Sequence, residues 1–142
     1  MPNSKRPITI LMADDDADDR QMTKEAFDEA RLANDLRFVE DGVELLDYLH
    51  RRGKYADPAD SPRPSIILLD LNMPRVSGLD AIPALHSVSP NAKIIVITGK
   101  TGHELAARTL KSGAIDFLSK PLDYEALGRS LTIARAITYP NA

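Results

Sequence analysis

Three aspartates, a threonine and a lysine have side chains that suit phosphoryl chemistry at a metal ion. Asp14 and Asp15 directly follow a short apolar run, Asp70 and Thr98 each end one, and Lys120 follows another. Carboxylates brought close together repel one another, and a hard divalent cation relieves that repulsion. Mg²⁺ prefers oxygen ligands and keeps several waters. The pattern therefore predicts a magnesium site formed by Asp14, Asp15 and Asp70, with no need for histidine or cysteine.

The same side chains could transfer a phosphoryl group. One carboxylate can attack phosphorus to form an aspartyl phosphate, while the metal neutralises charge on the transferring group. Lys120 supplies a second positive charge, and the Thr98 hydroxyl can donate a hydrogen bond to a phosphoryl oxygen. Gly99, beside Thr98, leaves space for that group to enter.

Alternating apolar and amphipathic segments predict five strand–helix units. Short runs rich in β-branched residues are typical of strands buried on both faces. This alternation favours a parallel sheet with right-handed crossovers and helices on both sides. The candidate residues then share the carboxyl edge of the sheet, where such folds bind ligands. The predicted strands are Ile8–Ala13, Leu36–Val39, Ile66–Asp70, Ile94–Ile97 and Ile115–Ser119; the helices follow a cap at Asp16 and lie around Val43–Leu49, Leu79–Ser87, Leu105–Leu110 and Tyr124–Ile137.

Length, charge and cysteine content limit the function classes. The 142 residues suit a single domain, predicted to span 1–142 with a core from about 8 to 137. The 18 basic and 21 acidic residues give a net charge of −3, which argues against nucleic acid as a partner. The absence of cysteine excludes disulfides and thiolate sites and favours the cytoplasm. The first apolar run stops at Ala13 before three aspartates, which fits neither a signal peptide nor a membrane span.

Two proline-containing segments depart from a regular strand–helix alternation. Gly53–Pro64, with Pro58 and Pro62 inside it, is longer than the usual loop of about 2–6 residues and predicts a stiffened surface loop. Pro83 falls within the third predicted helix, where a missing backbone donor should kink or shorten that helix.

Four stretches form a specific set when taken together: Ile10–Asp16, Leu68–Pro74 with Gly78, Val96–Gly99 and Gly113–Pro121. They resemble the receiver domains of bacterial two-component response regulators, and the resemblance runs from about Ile8 to Ile137. It implies a flavodoxin-like, doubly wound α/β fold with a five-stranded parallel sheet of order 2-1-3-4-5 and five helices. The first and third strands then lie side by side, which brings Asp14, Asp15 and Asp70 together.

The resemblance also implies roles for the site residues. Asp70 is the expected phosphoacceptor. The expected donor of the phosphoryl group is a histidine kinase, in a Mg²⁺-dependent reaction. Asp14 and Asp15 form the acidic pair, and the backbone carbonyl of Asn72 is a further metal ligand. Lys120 completes the catalytic set with Thr98.

Thr98 and Phe117 resemble the switch residues of the family. Phosphorylation is expected to select another packing of the face made by the fourth helix, the fifth strand and the fifth helix, and that face is also a candidate homodimer surface. No output domain is expected, so signalling should proceed through protein contacts. The Gly53–Pro64 loop is similar to the insertion of single-domain regulators partnered with phytochrome-type kinases.

Two directions of signal flow stay open at this point, and two rival interpretations are weighed against them. The domain could signal by binding a downstream protein, or could pass its phosphoryl group to a histidine phosphotransfer protein. A pseudo-receiver would keep the fold without taking phosphate, but all the site residues are present. A haloacid-dehalogenase-like phosphatase would place its nucleophile on the first strand, and Asp18 stands where threonine or valine is expected in that family. The chain is therefore predicted to be a signalling switch and not an enzyme.

Overall fold

Five parallel strands form the centre of the protein. The computed structural model describes residues 8–30, 34–71, 81–99, 103–120 and 122–138. The strand order is β2-β1-β3-β4-β5, which confirms the predicted doubly wound sheet. The strands are β1 (Ile8–Ala13), β2 (Asn34–Val39), β3 (Ile66–Asp70), β4 (Lys93–Thr98) and β5 (Asp116–Ser119).

A helix follows each strand along the chain. The five α-helices of the described ranges are α1 (Ala17–Ala30), α2 (Gly42–His50), α3 (Ala81–Val88), α4 (His103–Lys111) and α5 (Tyr124–Thr138). Within those ranges, no helix is both long enough and apolar enough to cross a membrane.

The sheet is buried on both faces because successive side chains of each strand point to opposite sides. Leu11, Ile67 and Val96 belong to a cluster that includes residues of α2 and α3. Ile10, Leu68 and their neighbours belong to a second cluster with residues of α1 and α5. All five residues of β3 are buried, as expected for the central strand of a parallel sheet.

The start of β2 differs from the sequence-based prediction for a local reason. β2 begins at Asn34 and not at Leu36, because parallel pairing of Ile8 with Asn34 extends the ladder through two residues that are poor strand formers. α3 is described from Ala81 onward, and the predicted helix start at Leu79 lies outside the described residues. The predicted effect of Pro83 on the length and straightness of this helix stays a prediction.

The segment between α2 and β3 is ordered by hydrogen bonds to α2. It contains two short 3₁₀ helices, Gly53–Tyr55 and Pro58–Asp60. The buried Tyr48 hydroxyl donates to the Pro62 carbonyl at 2.6 Å. Arg63 donates to the carbonyls of Leu49 and Tyr48 at 2.8 and 3.1 Å, which satisfies acceptors at the end of α2. The predicted stiff loop is thus held against the helix that precedes it.

Gly113, between α4 and β5, is a position where a side chain should be costly. Its φ is +121°, and an added Cβ would lie 2.8 Å from the His86 ring, whose Nε2 also contacts the Gly113 carbonyl oxygen at 2.9 Å. We expect Gly113→Ala to lower the free energy of unfolding by about 1–3 kcal/mol, measured by urea denaturation.

The matched control for this substitution is Gly128→Ala. Gly128 lies within α5, and an added Cβ there meets nothing within 4 Å. Alanine at this position should raise the free energy of unfolding by about 0.5–1 kcal/mol. Equal stability of the Gly113→Ala protein and the unmodified protein would contradict the assignment of strain to Gly113.

Candidate functional site

The candidate residues lie where four parallel strands end at the same edge of the sheet. Asp14 follows β1, Asp70 ends β3, Thr98 ends β4 and Lys120 follows β5. Backbone hydrogen bonds just past the strand ends hold these positions, since Asp14 N–H donates to the Val39 carbonyl and Lys120 N–H donates to the Thr98 carbonyl, at 3.0 and 2.9 Å. The register of the sheet therefore brings together residues that are far apart in sequence.

Three carboxylates form an oxygen-rich cluster at this edge. Asp14, Asp15 and Asp70 each offer an oxygen, and these oxygens lie within 4.8 Å of one another. Asp14 is 0% exposed and Asp70 is 1% exposed, whereas Asp15 is exposed to solvent. Carboxylate oxygens are the ligands that hard divalent cations prefer, and the exposed side leaves access for water and for a ligand. The donor set fits a divalent cation of the Mg²⁺ or Mn²⁺ kind.

Lys120 carries a positive charge into this acidic cluster. Its Nζ lies 2.7 Å from Asp19 Oδ2, 3.0 Å from Asp70 Oδ2 and 3.4 Å from Asp14 Oδ2. Burial opposes the charged form, but the nearby carboxylates of Asp19 and Asp70 outweigh burial and raise the pKa of Lys120 above its ordinary value. The lysine therefore stays protonated and compensates part of the negative charge.

Asp14 remains incompletely compensated despite this lysine. The pKa of Asp14 is raised to about 6: burial is the largest cause, the Asp16 N–H acts in the opposite direction, and the negative charge of Asp70 raises the pKa against the attraction of Lys120. Oδ1 accepts the Asp16 N–H at 2.8 Å. Oδ2 is buried, and no described residue donates a hydrogen bond to it. A cation bound beside Oδ2 would remove this cost, which is a second sign that the cluster fits a metal.

The start of α1 holds the acidic turn in place. Asp16 Oδ1 accepts the N–H groups of Asp18 and Asp19 at 2.8 and 3.4 Å, which confirms the predicted helix cap. Arg20 Nη1 donates to the Asp14 carbonyl at 2.8 Å. No role of Asp19 or Arg20 was predicted from the sequence. The sequence feature that could have pointed to these two residues is their position in the first helical turn after the cap, close to the end of β1.

Thr98, Phe117 and Asn72 are the remaining candidate residues. Thr98 is 1% exposed at the end of β4, and Phe117 is half-buried, pairs with Val96 in the sheet and packs against the α2–α3 side of the core. Asn72 lies outside the described residues, so its predicted role as a ligand has no structural description. The roles of Thr98 and Phe117 as switch residues stay predictions.

Comparison with known proteins gives consistent matches. Residues 10–132 match the family model of the response regulator receiver domain. The chain is 32% identical over 112 residues to chemotaxis protein CheY of Thermotoga maritima, covering 79% of this chain and 84% of that protein. The crystal structure of response regulator RPA3017 in red light signaling of R. palustris superposes with a TM-score of 0.77 at 30% identity, covering 91% of this chain and 92% of that one.

Some relatives are much longer than this chain. A protein-glutamate methylesterase/protein-glutamine glutaminase of Pyrococcus abyssi is 32% identical over 126 residues, which cover 85% of this chain but 30% of that protein. The similarity to this relative is therefore limited to one part of it.

Proposed function

Since the chain belongs to the response regulator receiver domain family, we propose that Asp70 accepts a phosphoryl group from a histidine kinase in a Mg²⁺-dependent reaction. The observation that carries this proposal is the juxtaposition of Asp14, Asp15 and Asp70 with Lys120. The carboxylate oxygens lie within 4.8 Å of one another, and the ammonium is 3.0 Å from the acceptor carboxylate. In this proposal, residues 1–142 form one receiver domain.

The proposed reaction balances as a transfer between a phosphohistidine and a carboxylate. An Asp70 oxygen forms a bond to phosphorus, the P–N bond of phosphohistidine breaks, and the imidazole nitrogen keeps the electron pair and takes a proton from solvent. Mg²⁺, when bound, supplies positive charge that neutralises the phosphoryl oxygens. Its proposed ligands are Asp14, Asp15, Asp70 and the backbone carbonyl of Asn72.

Lys120 and Thr98 serve the same transfer from the protein side. The Lys120 ammonium already contacts Asp70, so it stands where negative charge develops on an adjacent phosphoryl group. The Thr98 hydroxyl donates to a phosphoryl oxygen. Phe117 then changes its packing behind Thr98, and the α4–β5–α5 face alters its fit to a protein target or to a second copy of the chain.

The proposed partner upstream is a histidine kinase that this chain meets in the cytoplasm, and a phytochrome-type kinase is the finer form of this proposal. It is supported by the ordered segment between α2 and β3 and by the similarity to a regulator described in red light signaling. Downstream, the domain acts as a switch through a protein target, with a histidine phosphotransfer protein as the alternative acceptor.

The proposal predicts that labelling depends on the metal. The protein is incubated with acetyl phosphate or phosphoramidate, with Mg²⁺ in one sample and EDTA in the other, and intact-mass spectrometry measures the phosphorylated fraction. With Mg²⁺, we expect the mass of one phosphoryl group to be added. With EDTA, we expect the rate to fall by at least about tenfold, because the acidic cluster then repels the donor. Equal labelling in both samples, or none with Mg²⁺, would contradict the proposal.

A further inference from the structure

We infer that Asp19 is a positioning residue for phosphoryl transfer, because it holds the Lys120 ammonium beside Asp70 from the α1 side. This inference rests on the proposed function of Asp70 and adds a residue that the acidic pair and the acceptor do not include. The juxtaposition that carries it is the 2.7 Å contact between Asp19 Oδ2 and Lys120 Nζ, the shortest of the three carboxylate contacts of this lysine.

A lysine needs such a partner to be held in one place. Its ammonium is a compact charge on a flexible four-carbon chain, and fixing the chain costs rotamer entropy. Contacts with Asp70 and Asp14 alone would leave the ammonium bound only by the carboxylates at the reacting centre. Asp19 lies outside that centre and gives Lys120 an anchor that remains when Asp70 becomes an acyl phosphate.

The backbone at Asp19 is itself well held. Its N–H is near Asp16 Oδ1 at 3.4 Å, and its carbonyl accepts the hydroxyl of the buried Thr23 at 2.9 Å. The side chains of Asp19 and Lys120 are 16% and 19% exposed, so the ion pair is largely shielded from water. An ion pair held between a helix turn and the end of β5 can therefore fix the ammonium better than an exposed pair would.

The position in the helix also favours a negative charge. Asp18 and Asp19 are in the first turn of α1, where the helix dipole stabilises an anion. Asp18 is exposed, whereas Asp19 is the one directed to Lys120. The two neighbours thus offer a matched pair of substitutions that remove the same charge from the same helix turn.

The first experiment compares Asp19→Asn with Asp18→Asn. Phosphoramidate concentration is varied at saturating Mg²⁺, and labelling rates are followed by intact-mass spectrometry. We expect Asp19→Asn to lower the maximal rate about tenfold, the size expected for coupling between contacting charged groups. The donor concentration at half-maximal rate and the Mg²⁺ affinity from calorimetry should change less than about threefold. Asp18→Asn should match the unmodified protein, and an equal loss in both variants would overturn the inference.

The second experiment is a double-mutant cycle with Lys120→Met. If Asp19 acts through Lys120, Asp19→Asn should change the maximal rate by less than about twofold in the Lys120→Met background. The same four proteins are unfolded in urea, which separates a loss of stability from a loss of positioning. A full tenfold effect in the Lys120→Met background would overturn the inference. Failure of the proposed function itself would appear differently, as absence of labelling in the unmodified protein.

Discussion

Asp70→Asn is expected to abolish labelling by acetyl phosphate with Mg²⁺, under conditions in which the unmodified protein gains one phosphoryl group. The amide is a far weaker nucleophile than the carboxylate it replaces, and it also removes one charged oxygen from the metal cluster. Asparagine has nearly the same size as aspartate, so the end of β3 should keep its packing. Intact-mass spectrometry measures the label, and urea denaturation confirms that the variant is folded.

The control for this substitution is Asp28→Asn, which removes the same charge from an exposed position of α1 and should leave labelling unchanged. Persistent labelling of the Asp70→Asn protein would reject Asp70 as the acceptor. Peptide mapping that then placed the group on Asp14 or Asp15 would favour the phosphatase-like alternative, in which the nucleophile follows the first strand.

Asp14→Asn should have opposite effects on metal binding and on the stability of the metal-free protein. Changes beside a metal ligand already cost about 10–100-fold in affinity, so loss of a direct ligand should weaken Mg²⁺ binding by about 100-fold or more. The metal-free variant should nevertheless be more stable near neutral pH. The reason is that asparagine removes a buried charge whose cost appears in the raised pKa of Asp14.

The sign of the pH dependence follows from that pKa. Between the ordinary value of 3.8 and about 6, the folded state binds more protons at Asp14 than the unfolded state does. The contribution of Asp14 to stability therefore falls as pH rises through this window. The variant should gain on the order of 2 kcal/mol over the unmodified protein at about pH 7.5, and this gain should vanish near pH 4.

Urea denaturation of both proteins at the two pH values, without metal and then with Mg²⁺, measures these effects. Added Mg²⁺ should stabilise the unmodified protein and leave the Asp14→Asn protein almost unchanged. A variant that is less stable than the unmodified protein at the higher pH would contradict the account of Asp14 as an incompletely compensated charge.

Sequence patterns predicted the strands and the edge at which the site lies, because apolar runs and the residues that end them are local features. Asp14, Asp70 and Lys120 each sit at a strand end, so a parallel sheet was enough to place them together. The strand order depended on the resemblance to receiver domains. The side-by-side position of β1 and β3 could not have been obtained from periodicity alone.

Contacts between side chains of different elements were the part that local patterns could not give. Asp19 reads as one of several aspartates in a solvated turn, and its pairing with Lys120 depends on how α1 and β5 approach each other. The hydrogen bond from Tyr48 to Pro62 likewise joins a helix to a loop whose path has no local signal. Such contacts follow from tertiary packing and not from propensity or spacing.

The packing of the segment between α2 and β3 affects which part of this protein is monitored by tyrosine absorption and fluorescence. The chain has four tyrosines and no tryptophan, and the rings of Tyr48 and Tyr55 lie 5.1 Å apart. Burial raises the pKa of both phenols, that of Tyr55 to about 12 with a further contribution from Glu44. Two of the four tyrosines that give the near-ultraviolet absorption and the intrinsic fluorescence therefore report on this corner of the molecule. Events at Asp70 call for a spectroscopic label of their own, such as a fluorinated ring at Phe117.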